Sequence, residues 1–138
     1  TYGVRSCSMK FIQLLLDAGF DFGCKTYTVG VPEWIRKGKR EWKAAFLRGL
    51  FATDGCVTLI KINGNDTATY PKITLTSASE NLVTDTIRLL EDIGITAKTS
   101  PISTHHRIDI NGIKKLQKFH MYVGILQPKH LLRVKRYI

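Results

Sequence analysis

Apolar positions along the chain switch between helical spacing and strict alternation, and the switches mark out the elements. A short extended stretch, Tyr2 to Ser6, is expected before an apolar helix from about Ser8 to Ala18, closed by Gly19. Gly23, Gly30 and Pro32 mark a linker, and a basic run from Arg36 to Arg40 leads into a helix from about Glu41 to Thr53. Asp54-Gly55 is its stop signal. Period-two alternation then takes over, with Val57 and Leu59 set against Thr58, Ile60 and Ile62 up to a turn at Asn63-Gly64-Asn65. The chain returns through Thr67 to Thr76, where Ile73 and Leu75 alternate with Lys72, Thr74 and Thr76.

Ser77 with Glu80 three residues on is a capping-box pattern, opening a helix that runs to about Ile93 and ends at Gly94. Leu82, Val83, Ile87, Leu89, Leu90 and Ile93 follow a helical period within it. A second hairpin is expected from Ile95 to Lys98 and from His106 to Ile110, with its turn near Ser100-Pro101. A helix from about Ile113 to Val123 closes at Gly124, and the basic tail from Lys129 to Ile138 is read as helical. This order predicts an α+β fold with one antiparallel sheet.

A length of 138 residues is enough for one domain with a core and too short for two ordinary ones. There is an internal echo. Tyr2-Gly3-Val4-Arg5, a helix, then Gly19-Phe20 and Lys25 resembles Arg107-Ile108-Asp109-Ile110, a helix, then Gly124-Ile125 and Lys129. It divides the chain into residues 1–40, the tail of a preceding repeat and a linker, and residues 41–138, a repeat in its own right. The start at Thr1 rather than Met fits an N-terminal portion that lies elsewhere.

Charge narrows the class of partner. Lys and Arg number 21 against 11 Asp and Glu, a formal net charge of +10. Such an excess favours a polyanion, because each neutralised phosphate releases condensed counterions. Cys7, Cys24 and Cys56 are odd in number and far apart, which argues against a disulfide framework or zinc cluster and suits a reducing compartment. His105, His106, His120 and His130 fit no zinc spacing. No apolar run nears the roughly 18 residues of a membrane span, and no cleavable signal opens the chain. The expected setting is intracellular, in a prokaryotic cytoplasm or an organelle, with no membrane partner.

The helix ending at Asp54 carries the chemistry. Trp42, Ala45, Phe46, Gly49, Leu50 and Thr53 fall on one helical face. Within it Ala45, Gly49 and Thr53 are small and four apart, a spacing that lets two helix backbones approach closely. A mid-helix glycine costs about 1 kcal/mol against alanine, so Gly49 calls for a packing reason, unless the helix is an ordinary core helix that tolerates it. Asp54 faces the negative end of the helix dipole. An exposed Asp-Gly turn explains it at little cost; so does a divalent cation that restores the balance beside a DNA phosphate.

Phe46-Leu47-Arg48-Gly49-Leu50-Phe51-Ala52-Thr53-Asp54-Gly55 resembles the motif of the LAGLIDADG homing endonucleases, including those carried in inteins. Leu47, Gly49, Leu50, Asp54 and Gly55 match its letters, whereas Arg48, Ala52 and Thr53 replace its first Ala, first Asp and second Ala. Ile73-Thr74-Leu75-Thr76-Ser77 and the segment from Leu89 to Ile95 also resemble family blocks, so the likeness covers about residues 41–138. Val31-Pro32-Glu33-Trp34-Ile35 resembles the lead from a first repeat into a second.

The resemblance implies an αββαββα fold whose antiparallel sheet lies in the DNA major groove. It also implies two motif helices packed at a pseudo-twofold axis, each giving one Asp to Mg²⁺ or Mn²⁺. On this chain the metal residues are Asp54 with Gly55, and the helix interface is Ala45, Gly49 and Thr53. Lys98 matches a basic residue near the phosphate, and Ser77 a polar position near the attacking water, although Ser77 is equally the expected helix cap. Base contacts are expected from Lys61, Asn63, Asn65, Thr67, Thr69, Lys72, Thr74 and Thr76, and from His105, Arg107 and Asp109. Lys129, Arg133, Lys135 and Arg136 are expected to hold phosphates. The implied activity is metal-dependent hydrolysis of double-stranded DNA at one long site. Its second motif would come from a homodimer mate or from an N-terminal repeat. The alternatives are an RNA maturase and a catalytically inactive DNA-binding relic.

Overall fold

Alternation along the strands decides which side of the sheet is buried, and helical spacing decides which side of each helix lies on it. The computed structural model describes residues 5–20 and 23–138. In chain order it forms α1 (Met9–Asp17), α2 (Glu33–Arg36), α3 (Arg40–Asp54), β1 (Gly55–Ile60), β2 (Tyr70–Ser77), α4 (Glu80–Asp92), β3 (Lys98–Ile102), β4 (His105–Asn111), α5 (Ile113–Tyr122) and α6 (Pro128–Val134). A short 3-10 turn over Lys135–Tyr137 follows. From α3 to α5 this is the αββαββα order, and the strands make one antiparallel sheet in the order β1-β2-β4-β3. Most of the extended stretch expected at Tyr2 to Ser6 lies outside the described residues, and Arg5 and Ser6 belong to no strand.

The core sits between the helices and one side of the sheet. Ile73 and Leu75 of β2 and Ile108 and Ile110 of β4 are almost wholly buried there. Against them lie Leu47 and Phe51 of α3, Leu89 and Leu90 of α4, and Leu116 and Phe119 of α5. Phe51 and Phe119 meet edge to face with centroids 5.0 Å apart, the arrangement that ring quadrupoles favour.

Basic side chains fasten the helix ends. Arg40 donates to the carbonyl of Ile93 at the end of α4 (3.0 Å) and lies over the ring of Tyr122, 4.6 Å from its centroid. Arg48 donates to the carbonyl of Val123, the residue capping α5. Lys118 donates to the carbonyl of Gly94 (3.3 Å). Cations placed there complement the negative end of the helix dipole. α6 closes the outer edge of β1: Arg133 donates to the Val57 carbonyl at 2.6 Å, and Gln127 donates to the Ala52 carbonyl.

Three local expectations are corrected. The N-cap of α4 is Ser79, not Ser77; Ser79 accepts from the Leu82 N–H (3.3 Å) and donates to the Val29 carbonyl (2.5 Å). Ser77 stays in β2, paired with His106, and accepts from the Ser79 N–H (3.1 Å). The second hairpin turns at Ser103-Thr104, with Ser103 at φ 54, and Ser100-Pro101 lies inside β3. Proline is tolerated there because β3 is an edge strand. The return strand begins at Tyr70, so residues 61–69 form a loop with Asn63 and Gly64 at φ 51 and 74. At the end of α4, Gly94 (φ 89) allows paired Gly94-to-Glu91 and Ile95-to-Leu90 backbone bonds of 2.9 and 2.8 Å, which drop Ile95 into the core.

α1 and α5, the helices of the sequence echo, are 9 and 10 residues long and each is followed closely by a left-handed glycine, Gly19 or Gly124. They differ in packing: α5 buries Leu116 and Phe119, whereas α1 buries none of its residues. No described helix is long and apolar enough to cross a membrane.

Two predictions follow from the packing. Leu47 is fully buried, so Leu47→Ala should lower the unfolding free energy by about 2–5 kcal/mol. Urea denaturation checks this, and an unchanged midpoint would mean that α3 is not anchored through this side chain. His130 is buried, and its imidazole is held below the ordinary histidine range, first by burial and then by Lys129 and Arg133. The unfolded chain therefore takes up this proton more readily than the folded one. Stability should fall as pH drops below about 6.5, and His130→Leu should flatten that part of the pH profile.

Candidate nucleic-acid interface

The side of the sheet away from the helices is set by the same alternation. With Ile73, Leu75, Ile108 and Ile110 turned into the core, the residues between them must face outwards. Strand register lines them up in rows. Thr58 lies across from Lys72, and Lys72 across from Asn111. Cys56, Thr74, Asp109 and Lys98 form a row across all four strands. Thr76, Arg107 and Ser100 form the next, and His105 faces Ile102 at the end of the hairpin.

Asp109 is the acid on this face, and it is only 8% exposed. Lys72 Nζ stands 3.2 Å from its Oδ1, and Arg107 Nε stands 3.1 Å from both carboxylate oxygens. Asp109, expected among the base contacts, is thus ion-paired with two cations of the same face, with Arg107 Nε hydrogen-bonded to its Oδ2. Lys72, with Lys98 and with Lys115 from α5, also surrounds a concavity shared with Asn63, Tyr70 and Asn111. Asn111 and Lys115 were not singled out in the sequence. Asn111 was within reach, since it follows Arg107 and Asp109 at the same two-residue step.

The remaining expected contacts divide by place. Lys61, Asn63, Asn65 and Thr67 are exposed in the loop that joins β1 to β2. Thr69 is half-buried, and its carbonyl accepts from the Tyr137 hydroxyl at 2.6 Å. Thr74 is half-buried on the open face, and Thr76 and His105 are exposed there. Lys129 is exposed on α6. Arg133 is different. Its bond to the Val57 carbonyl makes it a fastening for the edge of β1, although the residue is exposed.

At the motif helix, the buried side of α3 is Ala44, Leu47 and Phe51. Ala45, Gly49 and Thr53 lie on an exposed side, and a Cβ on Gly49 would meet nothing within 4 Å. Gly49 is thus not a tolerated core glycine. Gly55 has a steric reason of its own, because a Cβ there would lie 2.5 Å from the Phe51 carbonyl oxygen.

Asp54 is exposed at the end of α3. Lys98 is not beside it: it starts β3, at the opposite edge of the sheet from β1. At about 4.8 Å per strand, three strand spacings make roughly 14 Å. Ser77 lies two residues past Leu75, the partner of Gly55, with its hydroxyl engaged by the Ser79 N–H. A divalent ion such as Mg²⁺ or Mn²⁺ takes about six oxygen ligands, more than the single carboxylate of Asp54 supplies. Among the described residues no three or more His, Cys, Asp or Glu side chains come together to hold a metal ion.

The model of the LAGLIDADG-like domain matches residues 41–124. The chain is 33% identical over 109 residues to the replicative DNA helicase DnaB of Synechocystis, covering 75% of this chain and 12% of that protein. It is 39% identical over 83 residues to the ribonucleoside-diphosphate reductase NrdEB subunit alpha of Bacillus subtilis, covering 59% of this chain and 7% of that protein. It therefore spans only a small part of these relatives' length. Among solved structures, the N-terminal LAGLIDADG domain of DUF199/WhiA matches with a TM-score of 0.53 and 24% identity, over 72% of this chain and 48% of that one.

These findings overturn the expectation of a metal-dependent, double-strand DNA endonuclease. The fold is shared with a DUF199/WhiA domain, and a shared fold does not transfer chemistry. Among the described residues no side chains assemble a metal-binding group with Asp54, and the residues expected to act with it, Lys98 and Ser77, are placed elsewhere or already engaged. What remains secure is the family itself: with its motif helix, its four-stranded sheet and the match over residues 41–124, the chain belongs to the LAGLIDADG-like domain family.

Proposed function

We propose that this chain is a LAGLIDADG-like module that binds double-stranded DNA through the open face of its sheet without cutting it. The observation that carries the reading is the make-up of that face. Lys72, Lys98 and Arg107 stand among Thr58, Thr74, Thr76 and Asn111, and the acid on the face, Asp109, is neutralised by two of those cations. A strand surface of this kind fits the major groove, where hydroxyls, amides and cations meet base edges. Lys61, Asn63, Asn65 and Thr67 extend it along the 61–69 loop, and the net charge of +10 supplies long-range attraction to phosphate.

The relatives support a module separate from its surroundings. A helicase and a reductase subunit are named for different chemistry, yet each contains a short stretch similar to this chain. The open Ala45, Gly49 and Thr53 side of α3 fits a second motif helix, from another copy or from a preceding repeat. Such a protein works where chromosomal DNA is, inside the cell.

Binding should depend steeply on salt. In fluorescence anisotropy with a duplex of about 25 base pairs, log affinity should fall linearly with log salt, and Lys61→Ala or Lys98→Ala should each reduce the slope by about one. Affinity should persist in EDTA, and the duplex should stay intact in Mg²⁺ or Mn²⁺. Preference for structured RNA over duplex DNA would replace this reading with RNA binding, and cleavage of the duplex would refute its non-cutting part.

A further inference from the structure

Resting on the duplex-binding reading above, we infer that Arg107 is a guanine-reading residue of the sheet and that Asp109 is the positioning residue that aims it. The two side chains lie two residues apart on β4 and so share the open face. Arg107 Nε is held 3.1 Å from each oxygen of Asp109, which fixes the guanidinium by its inner nitrogen. Its two outer nitrogens, the outer edge of the guanidinium, have no hydrogen-bond partner among the described residues.

The surroundings leave that edge accessible. Across the row, Arg107 stands between Thr76 and Ser100, both short, so its longer side chain rises above its neighbours. Lys72 gives the contrast. It shares the same carboxylate at 3.2 Å, but its side chain is 18% exposed against 37% for Arg107. Lys72 is drawn down to neutralise the acid, and Arg107 is left to face the groove.

The chemistry selects the base. Two parallel N–H donors on a planar fork match the O6 and N7 acceptors that guanine alone presents together in the major groove. A guanidinium free to rotate would reach phosphates equally well and carry no sequence information. Clamping Nε to a buried carboxylate removes that freedom, which is the form of preorganisation that converts a cation into a base reader.

The test is selection of bound duplexes from a randomised library by the unaltered chain, Arg107→Lys, Asp109→Asn and the double variant, with folding checked by thermal melting. The unaltered chain should enrich a guanine at one position. Arg107→Lys keeps the charge but loses the fork, and should cut that preference by roughly ten-fold or more. Asp109→Asn should also cut it, while raising affinity for unrelated duplexes because an acid has been removed from the face. Asp109→Asn should have no further effect on the guanine position once Arg107 is lysine. A merely structural Asp109 would instead weaken all sequences alike and lower the melting temperature without moving the preference. Should Asp109→Asn fail to fold, Arg107→Lys alone decides the guanine assignment. An unchanged preference in Arg107→Lys, or a uniform loss over all sequences as for a phosphate contact, overturns the inference and leaves duplex binding standing. Absence of duplex binding by the unaltered chain overturns both.

Discussion

Burial of Ile73, Leu75, Ile108 and Ile110 on one side of a four-stranded sheet is the constraint from which the rest of this structure follows. A sheet has two faces, and strict alternation allows only one of them to be apolar. Once Leu47 and Phe51 of α3, the leucines of α4, and Leu116 and Phe119 of α5 cover that face, every intervening residue on β2 and β4 must lie on the other. The same burial orients α3. Its Ala44, Leu47 and Phe51 side is committed to the core, so Ala45, Gly49 and Thr53 are left outward and Asp54 emerges at the surface where β1 begins.

The net charge of +10 overstates the cations available to a polyanion. Arg40, Arg48, Lys118 and Arg133 donate to the carbonyls of Ile93, Val123, Gly94 and Val57. These bonds satisfy acceptors at helix ends and at a sheet edge that would otherwise lack partners. Lys43 pairs with Asp92 at 2.6 Å, and Lys72 with Asp109. The basic residues therefore divide between holding helices to the sheet and facing outwards, and only the second group is open to a partner. Arg48 illustrates the division. It stands where the family motif has its first alanine, and its work is to fasten α3 to the end of α5.

The fold does not by itself supply the metal chemistry expected at the motif helix. The family motif places one carboxylate at a helix end, but a divalent ion needs several oxygen ligands at once, and the described residues do not gather them. The groups expected to help, Lys98 and Ser77, are held by the sheet's order and by a local turn rather than drawn to Asp54. What the architecture does gather is a cationic, hydrogen-bonding strand surface.

The sequence by itself determined the elements and their order, because helical and strand periods are local and are printed in the spacing of residues such as Leu82, Leu89, Ile73 and Leu75. It also determined the family, since the nonapeptide from Leu47 to Gly55 is contiguous. The outward faces of Lys72, Thr74, Thr76 and Arg107 were legible for the same reason. Local signals failed where two short-range options compete: Ser77 and Ser79 are both plausible caps, and Ser100-Pro101 reads as a turn until β3 is known to be an edge strand. Tertiary structure alone decided how Asp109, Arg107, Lys72 and Lys98 are arranged, because pairing across β2, β4 and β3 joins residues far apart in the chain. It likewise decided that Arg133 serves the edge of β1 and that Asp54 and Lys98 stand at opposite edges. Charge and residue type are properties of a position, whereas a partner's distance is a property of the packed sheet.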